Sequence, residues 1–166
     1  MSNAAYYSLL NNGELSGDVI GAVVATVPIS ATGATLTCNR DVHAGRVTVI
    51  SAAAGCAVTL PNATGTGSVY RFLIGATITS NTTTIKVNNG TDVMSGRAYV
   101  ISDNSAAVLG YATGSTSDTI TLDGSTTGGY IGDIIEIIDA IAGTYQVKVL
   151  TKATGTEATP FSATVS

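Results

Sequence analysis

IIEIIDAIAGTYQVKVL, residues Ile134–Leu150, is the stretch that decides the fold class. β-branched and aromatic residues alternate with polar ones on both sides of Ala142-Gly143, which is how a half-buried hairpin is written. A three-residue loop, Ile141-Ala142-Gly143, with Gly143 in the left-handed region, pairs Ala140 with Thr144 and fixes the register by alternation. Ile135 then faces Val149, Ile137 faces Val147, and Asp139 sits opposite Tyr145. On the other face Glu136 lies directly across from Lys148, a cross-strand ion pair.

Working outward, the run STSDTITLDGSTTGGYIGDIIE (Ser115–Glu136) is written in the same strand-and-turn style. Candidate strands recur through Thr35–Cys38, Arg46–Ser51, Ala57–Leu60, Val69–Ile74, Thr83–Val87, Ala98–Ser102, Ala107–Tyr111, Thr119–Leu122, Ile134–Ile138 and Thr144–Leu150. Gly, Asn, Asp and Pro separate them, and no segment holds an i, i+3, i+4, i+7 apolar pattern over three turns. Strands without intervening helices exclude a parallel βαβ fold, so the expectation is all-β, an antiparallel β-sandwich or barrel. Residues 1–34 read differently, as an extended N-terminal arm ahead of a β domain over 35–166. The arm holds AAYYSLL (Ala4–Leu10) and the β-branched run VIGAVVATVPIS (Val19–Ser30). An apolar arm packs either on a partner or on its own domain as an edge strand.

Composition narrows the function classes. At 166 residues the chain suffices for one core without staples. Charged residues are 11% against 45% hydrophobic, and mean hydropathy is +0.36, so a lone copy solvates its surface poorly and oligomerisation is expected. Net charge is −4 with pI about 4.6, and the seven basic residues are scattered, which argues against nucleic acid as a partner. No apolar run approaches the roughly 20 residues of a membrane helix. The first 18 residues carry Glu14 and Asp18 but no Lys or Arg, unlike the start of a secretory signal, so synthesis and assembly in the cytoplasm are expected.

Chemistry-bearing residues are sparse. The one histidine, His43, sits in RDVHAG and reads as a solvent-exposed turn residue; Asp41 beside it is not enough for a catalytic set. Asp118, Asp123, Asp133, Glu136 and Asp139 fall at strand ends and turns, where short acids accept from local backbone donors. With no Trp in the chain, a carbohydrate-cleaving cleft lacks its usual aromatic faces. TLDGSTTGG lacks the alternating ligands of a calcium loop, and reads instead as an Asp123-Gly124 turn with Gly128-Gly129 in left-handed or bulge positions. Cys38 and Cys56 have no zinc spacing; they read as two buried reduced thiols, with a disulfide as the alternative. No cofactor is expected, and no enzymatic activity. Tyr70, Tyr99, Tyr111, Tyr130 and Tyr145 are expected in the core or at subunit interfaces, with Tyr6 and Tyr7 in the arm.

The segments TLPNATGTGSVYRFLIG (Thr59–Gly75), DVMSGRAYVISD (Asp92–Asp103), DTITLDGSTTGGYIGDIIEI (Asp118–Ile137) and ATGTEATPFSATV (Ala153–Val165) resemble a family of tailed-bacteriophage head decoration, or cement, proteins. The resemblance spans roughly residues 45–166. It implies a structural virion protein on the outer surface of the phage head, a homotrimer that clamps neighbouring copies of the major capsid protein on the expanded shell. Such proteins often touch the capsid through an N-terminal arm. The arm here lies outside the similar region, so a capsid-binding role for Tyr6, Tyr7, Leu9 and Leu10 is an inference from their apolar, aromatic character. The alternative is a head-fibre or receptor-binding (adhesion) protein, whose loops Pro61–Gly67 or Ser80–Thr84 meet a host glycan.

Overall fold

The structure, a computed structural model, describes residues 27–104 and 106–165. Its strands are β1 (Ile29–Ala31), β2 (Thr35–Thr37), β3 (Val47–Ile50), β4 (Ala57–Thr59), β5 (Val69–Ile74), β6 (Thr83–Lys86), β7 (Val93–Ser102), β8 (Val108–Ala112), β9 (Thr119–Leu122), β10 (Ile134–Ile141), β11 (Thr144–Ala153) and β12 (Phe161–Ser162). One helical turn, α1 (Arg40–His43), lies between β2 and β3. The strands form two sheets: sheet A in the order β1-β3-β5-β10-β11-β7-β8, and sheet B in the order β12-β9-β6-β4-β2. The two sheets enclose one core, so the all-β sandwich holds.

The pairing, however, is mixed rather than purely antiparallel. β1, β3 and β5 run parallel in sheet A, and β2, β4 and β6 run parallel in sheet B. β11 and β7 are parallel as well, over ten residue pairs from Thr144↔Val93 to Ala153↔Ser102. Successive strands from β1 to β6 alternate between the sheets, so residues 29–86 wind as three two-strand rungs of a β-solenoid. Each parallel neighbour is reached by way of the opposite sheet, and no crossover helix is required. The exclusion of parallel strands from the sequence rested on crossovers within one sheet, and that is the premise this winding removes.

The winding stacks equivalent residues. Leu36, Val58, Ile85, Ile120 and Phe161 form one continuous row across sheet B. At the ends of β2, β4 and β6 the next inward residues, Cys38, Leu60 and Val87, are all buried. The amide of Cys38 donates to Thr59 and that of Leu60 to Lys86, so rung-to-rung bonding continues past the strands. Sheet A answers with Thr48, Phe72, Ile135, Val149, Ala98 and Tyr111 in a row. A full side chain such as Ile or Phe contributes about 1.5–3 kcal/mol when removed from water, which makes these rows the main source of stability.

The β10–β11 hairpin has the register read from sequence: Ile135↔Val149, Glu136↔Lys148, Ile137↔Val147 and Asp139↔Tyr145. At the turn the pairing shifts, and Ile141 rather than Ala140 sits opposite Thr144. Ala140 is the extra residue of a bulge, and Gly143 adopts the left-handed conformation at φ 78°. Gly128 and Gly129 also have positive φ, as the turn chemistry required.

Candidate interaction surfaces

The outer face of sheet A carries a row that is unusual for a surface. Strand pairing places Val49, Leu73, Ile134, Leu150 and Tyr99 side by side across five strands. Ile134, Leu150 and Tyr99 are 45%, 43% and 41% exposed, and Ile101 and Val108 continue the apolar surface towards the β8 edge. A second row, Arg71, Glu136, Lys148 and Arg97, runs alongside it. Between the two rows Ile134, Leu150, Glu136 and Lys148 line a shallow dimple of about 170 Å³. An apolar stripe edged by charges is a surface whose burial against another molecule removes apolar area from water.

The ion pair on this face has a different partner from the one read in the sequence. Glu136 does sit across from Lys148, but its carboxylate accepts from Arg71 Nε at 2.9 Å, on the other neighbouring strand. That is the one ion pair among the described residues, and Lys148 takes no part in it. A central strand has two neighbours, and a hairpin reading sees one of them. Arg71 is not legible as the partner because its position lies 65 residues away in the chain.

The ends of the sandwich are held by buried carboxylates. Asp139 accepts from the backbone amides of Thr64, Gly65 and Thr66 and from the Thr66 hydroxyl at 2.6 Å. Burial alone raises its carboxyl, but the donors from Thr66, Gly65 and Thr64 outweigh that and hold it below the ordinary value of 3.8. Asp133 accepts from the amides of Gly129, Tyr130 and Lys152 and from the Thr151 hydroxyl. Asp118 takes the amides of Thr164 and Val165, tying down the C-terminal segment. Asp92 accepts from Ala63 N and Asn89 Nδ2. Asp118, Asp123, Asp133 and Asp139 do satisfy backbone donors, as expected, whereas Glu136 accepts from the Arg71 side chain; Asp139 and Asp118 reach donors 73–75 and 46–47 residues away rather than local ones. Asp123 is the local case: it accepts from the amides of Ser125 and Thr127 and the Thr126 hydroxyl, which lower its pKa against the opposing effect of burial.

His43 is a correction. It is buried, not exposed, in α1, and its Nδ1 lies 3.0 Å from both the amide nitrogen and the carbonyl oxygen of Asn39. Asn39 caps the same turn by accepting from Asp41 N at 2.8 Å. A four-residue helix is too short for a periodic signal, so the sequence offered nothing to mark it. Cys38 and Cys56 are free and buried. Burial, with Cys56 nearby, pushes the Cys38 thiol up to about 12. Cys38 follows β2 and pairs beyond Thr59, while Cys56 precedes Ala57. Cys38 is thus level with Leu60, four residue steps from Cys56 and about 13 Å along the strand, past the roughly 7 Å between Cα atoms that a disulfide bridges.

A cleft of about 550 Å³ opens where β2, β4 and β6 end. Asn39, Asn62 and Asn88, each two or three residues beyond its strand, line it together with Arg40 and Asp41. Asn88 Nδ2 donates to Asn62 Oδ1 at 2.9 Å, so two neighbouring rungs are joined through their amides. Of the tyrosines, Tyr70 and Tyr145 are core residues, and Tyr145 donates its hydroxyl to Pro61 O at 2.7 Å. Tyr99 is on the outer face instead. Tyr6, Tyr7, Leu9 and Leu10 lie outside the described residues. Among the described residues no group of three or more His, Cys, Asp or Glu could hold a metal ion, and no helix is long and apolar enough to cross a membrane. No family model, curated protein or solved structure matches the chain.

Proposed function

We propose that this chain is a structural, non-enzymatic virion protein that decorates the outside of an expanded phage head, bound as an oligomer between subunits of the major capsid protein. The observation that carries the reading is the apolar row Val49–Leu73–Ile134–Leu150–Tyr99 with its flanking charges, a surface suited to burial against another protein. The low charge of the whole chain and the sequence resemblance support the same reading, and the trimeric state comes from the resemblance. A protein that binds only the expanded lattice stabilises it by mass action, and linking several weak contacts in one oligomer raises their combined strength. Tyr6, Tyr7, Leu9 and Leu10 are the proposed capsid contacts of the arm. The test is co-sedimentation with capsids that lack the protein: expanded shells should bind it to saturation and unexpanded shells should not. Binding to neither would overturn the proposal.

One observation favours the adhesion alternative. The cleft beyond β2, β4 and β6 is rimmed by amide side chains and includes Pro61, Asn62 and Thr64, a polar setting for a hydroxyl-rich ligand. A glycan-array signal abolished by Asn62→Ala would favour that reading over decoration.

A further inference from the structure

The chain is acidic, yet one of its faces is cationic. Asp92, Asp118, Asp133 and Asp139, four of the eleven acidic residues, are buried and bonded to backbone amides, so they count in the net charge of −4 without lying on the surface. None of the seven basic residues is buried. Strand pairing gathers four of them that the sequence scatters: Arg71 on β5, Lys148 and Lys152 on β11, and Arg97 on β7 all project from the outer face of sheet A. Among the outward residues of the sheet A strands Glu136 is the one acid, and Arg71 Nε takes its carboxylate at 2.9 Å. Lys148 and Arg97 are exposed and stand outside that ion pair. Lys152 Nζ lies 5.5 Å from the centre of the Tyr130 ring.

The placement of these cations says what fits. Lys148 and Arg97 are paired across β11 and β7, with their backbones about 4.8 Å apart. Lys152 lies further along β11, about 13 Å from Lys148. Leu150 is midway between the two lysines, with Tyr99 beside it on β7. The apolar row therefore has positive charge on both sides, and an occupant has to supply apolar side chains and negative charge together. A second copy laid face to face would oppose the cations to themselves, which like-charge repulsion disfavours. Nucleic acid would supply the charge but no cover for Ile134, Leu150 and Ile101, and Tyr99 is the one aromatic on this face for a base to stack on. We propose that the outer face of sheet A takes an acidic protein surface, whose carboxylates meet Lys148, Arg97 and Lys152 while apolar side chains between them cover Leu150 and Tyr99. The inference rests on the reading of this face as the one that docks on the capsid, and adds the chemistry of the partner to it.

Co-sedimentation of the full-length protein with expanded capsids that lack it, over a salt series, tests this. Wild-type affinity should fall at least tenfold as salt rises from about 0.1 M to about 1 M, which shortens the screening length from about 10 Å to about 3 Å. Lys148→Gln/Lys152→Gln should bind at least tenfold more weakly at low salt, show a flatter salt dependence and keep the wild-type thermal midpoint. Lys148→Glu/Arg97→Glu should not bind at all. Affinity that ignores salt and both double substitutions would overturn this inference and leave the decoration reading standing, whereas wild-type protein that binds at no salt concentration would overturn both. Without capsids, the sedimentation mass should be the same in the wild type and in Lys148→Gln/Lys152→Gln, and the wild type should not shift a DNA duplex. A lower mass in the variant would give the face to a second copy, and a shifted duplex would give it to nucleic acid; either result would overturn the inference.

Discussion

Asp139 gathers three backbone amides and a hydroxyl from Thr64–Thr66 while sitting at the end of β10, so one side chain holds the loop that follows β4 against the hairpin. Replacing it with Asn removes the charge and half of the acceptor capacity, leaving part-buried loop donors short of a partner. Asp139→Asn is expected to lose about 2–3 kcal/mol in urea unfolding at neutral pH. The sign of the pH dependence follows from the shift. The carboxyls of Asp139 and Asp123 are held below 3.8 when folded, so their contribution is present above that value and is lost as pH falls through the lower, folded-state value. Stability should therefore decline below about pH 4, and the decline should be shallower in Asp139→Asn than in wild type. The surface pair behaves otherwise. Arg71 and Glu136 are exposed enough for solvent to screen them, and a double-mutant cycle should return about 0.2–1 kcal/mol at most.

At the scale of elements, the long parallel contact between β7 and β11 depends on one glycine. A Cβ built on Gly96 would run into the Val147 carbonyl oxygen and side chain, so the two backbones approach more closely than any other residue allows. Gly96→Ala is expected to cost about 3 kcal/mol or to prevent folding, read as the soluble yield and thermal midpoint. The sheet B row makes a graded series. Ile120→Ala, fully buried in mid-row, should cost about 2–5 kcal/mol, and Leu36→Ala, at the partly open end, clearly less. These elements also mark what the sequence could convey. Alternation located ten strands and set the hairpin register, because both are short-range consequences of side-chain period. β12 was missed, being two residues long, and β1 because it closes the run Val19–Ser30 that was read as part of the arm, whereas Ile29–Ala31 pairs with β3 in sheet A. The solenoid winding was missed because rung lengths vary with the loops, which hides the repeat until strand pairing is known. Asp118, Asp123, Asp133 and Asp139 were legible as acceptors of backbone donors, yet the partners of Asp139 and Asp118 are set by topology, and Glu136 accepts instead from the Arg71 side chain 65 residues away.

For the whole molecule, the central matter is what meets the outer face of sheet A. Two apolar rows inside and one apolar row on the outer face of sheet A describe a plate, and the proposed function rests on that outer row being covered by another protein. Leu150→Lys, placed in the middle of the outer row, should leave the thermal midpoint within a few degrees of wild type, since Leu150 is substantially exposed. The same substitution should abolish binding to expanded capsids in co-sedimentation. The measurement that bears most directly on the decoration reading is the copy number of this protein in purified virions, relative to the major capsid protein, by quantitative mass spectrometry. A ratio comparable to that of the shell protein is the predicted result, because a decoration protein covers the lattice. A count far below it, confined to one vertex or to the tail, would contradict the account and move the protein to a fibre or baseplate.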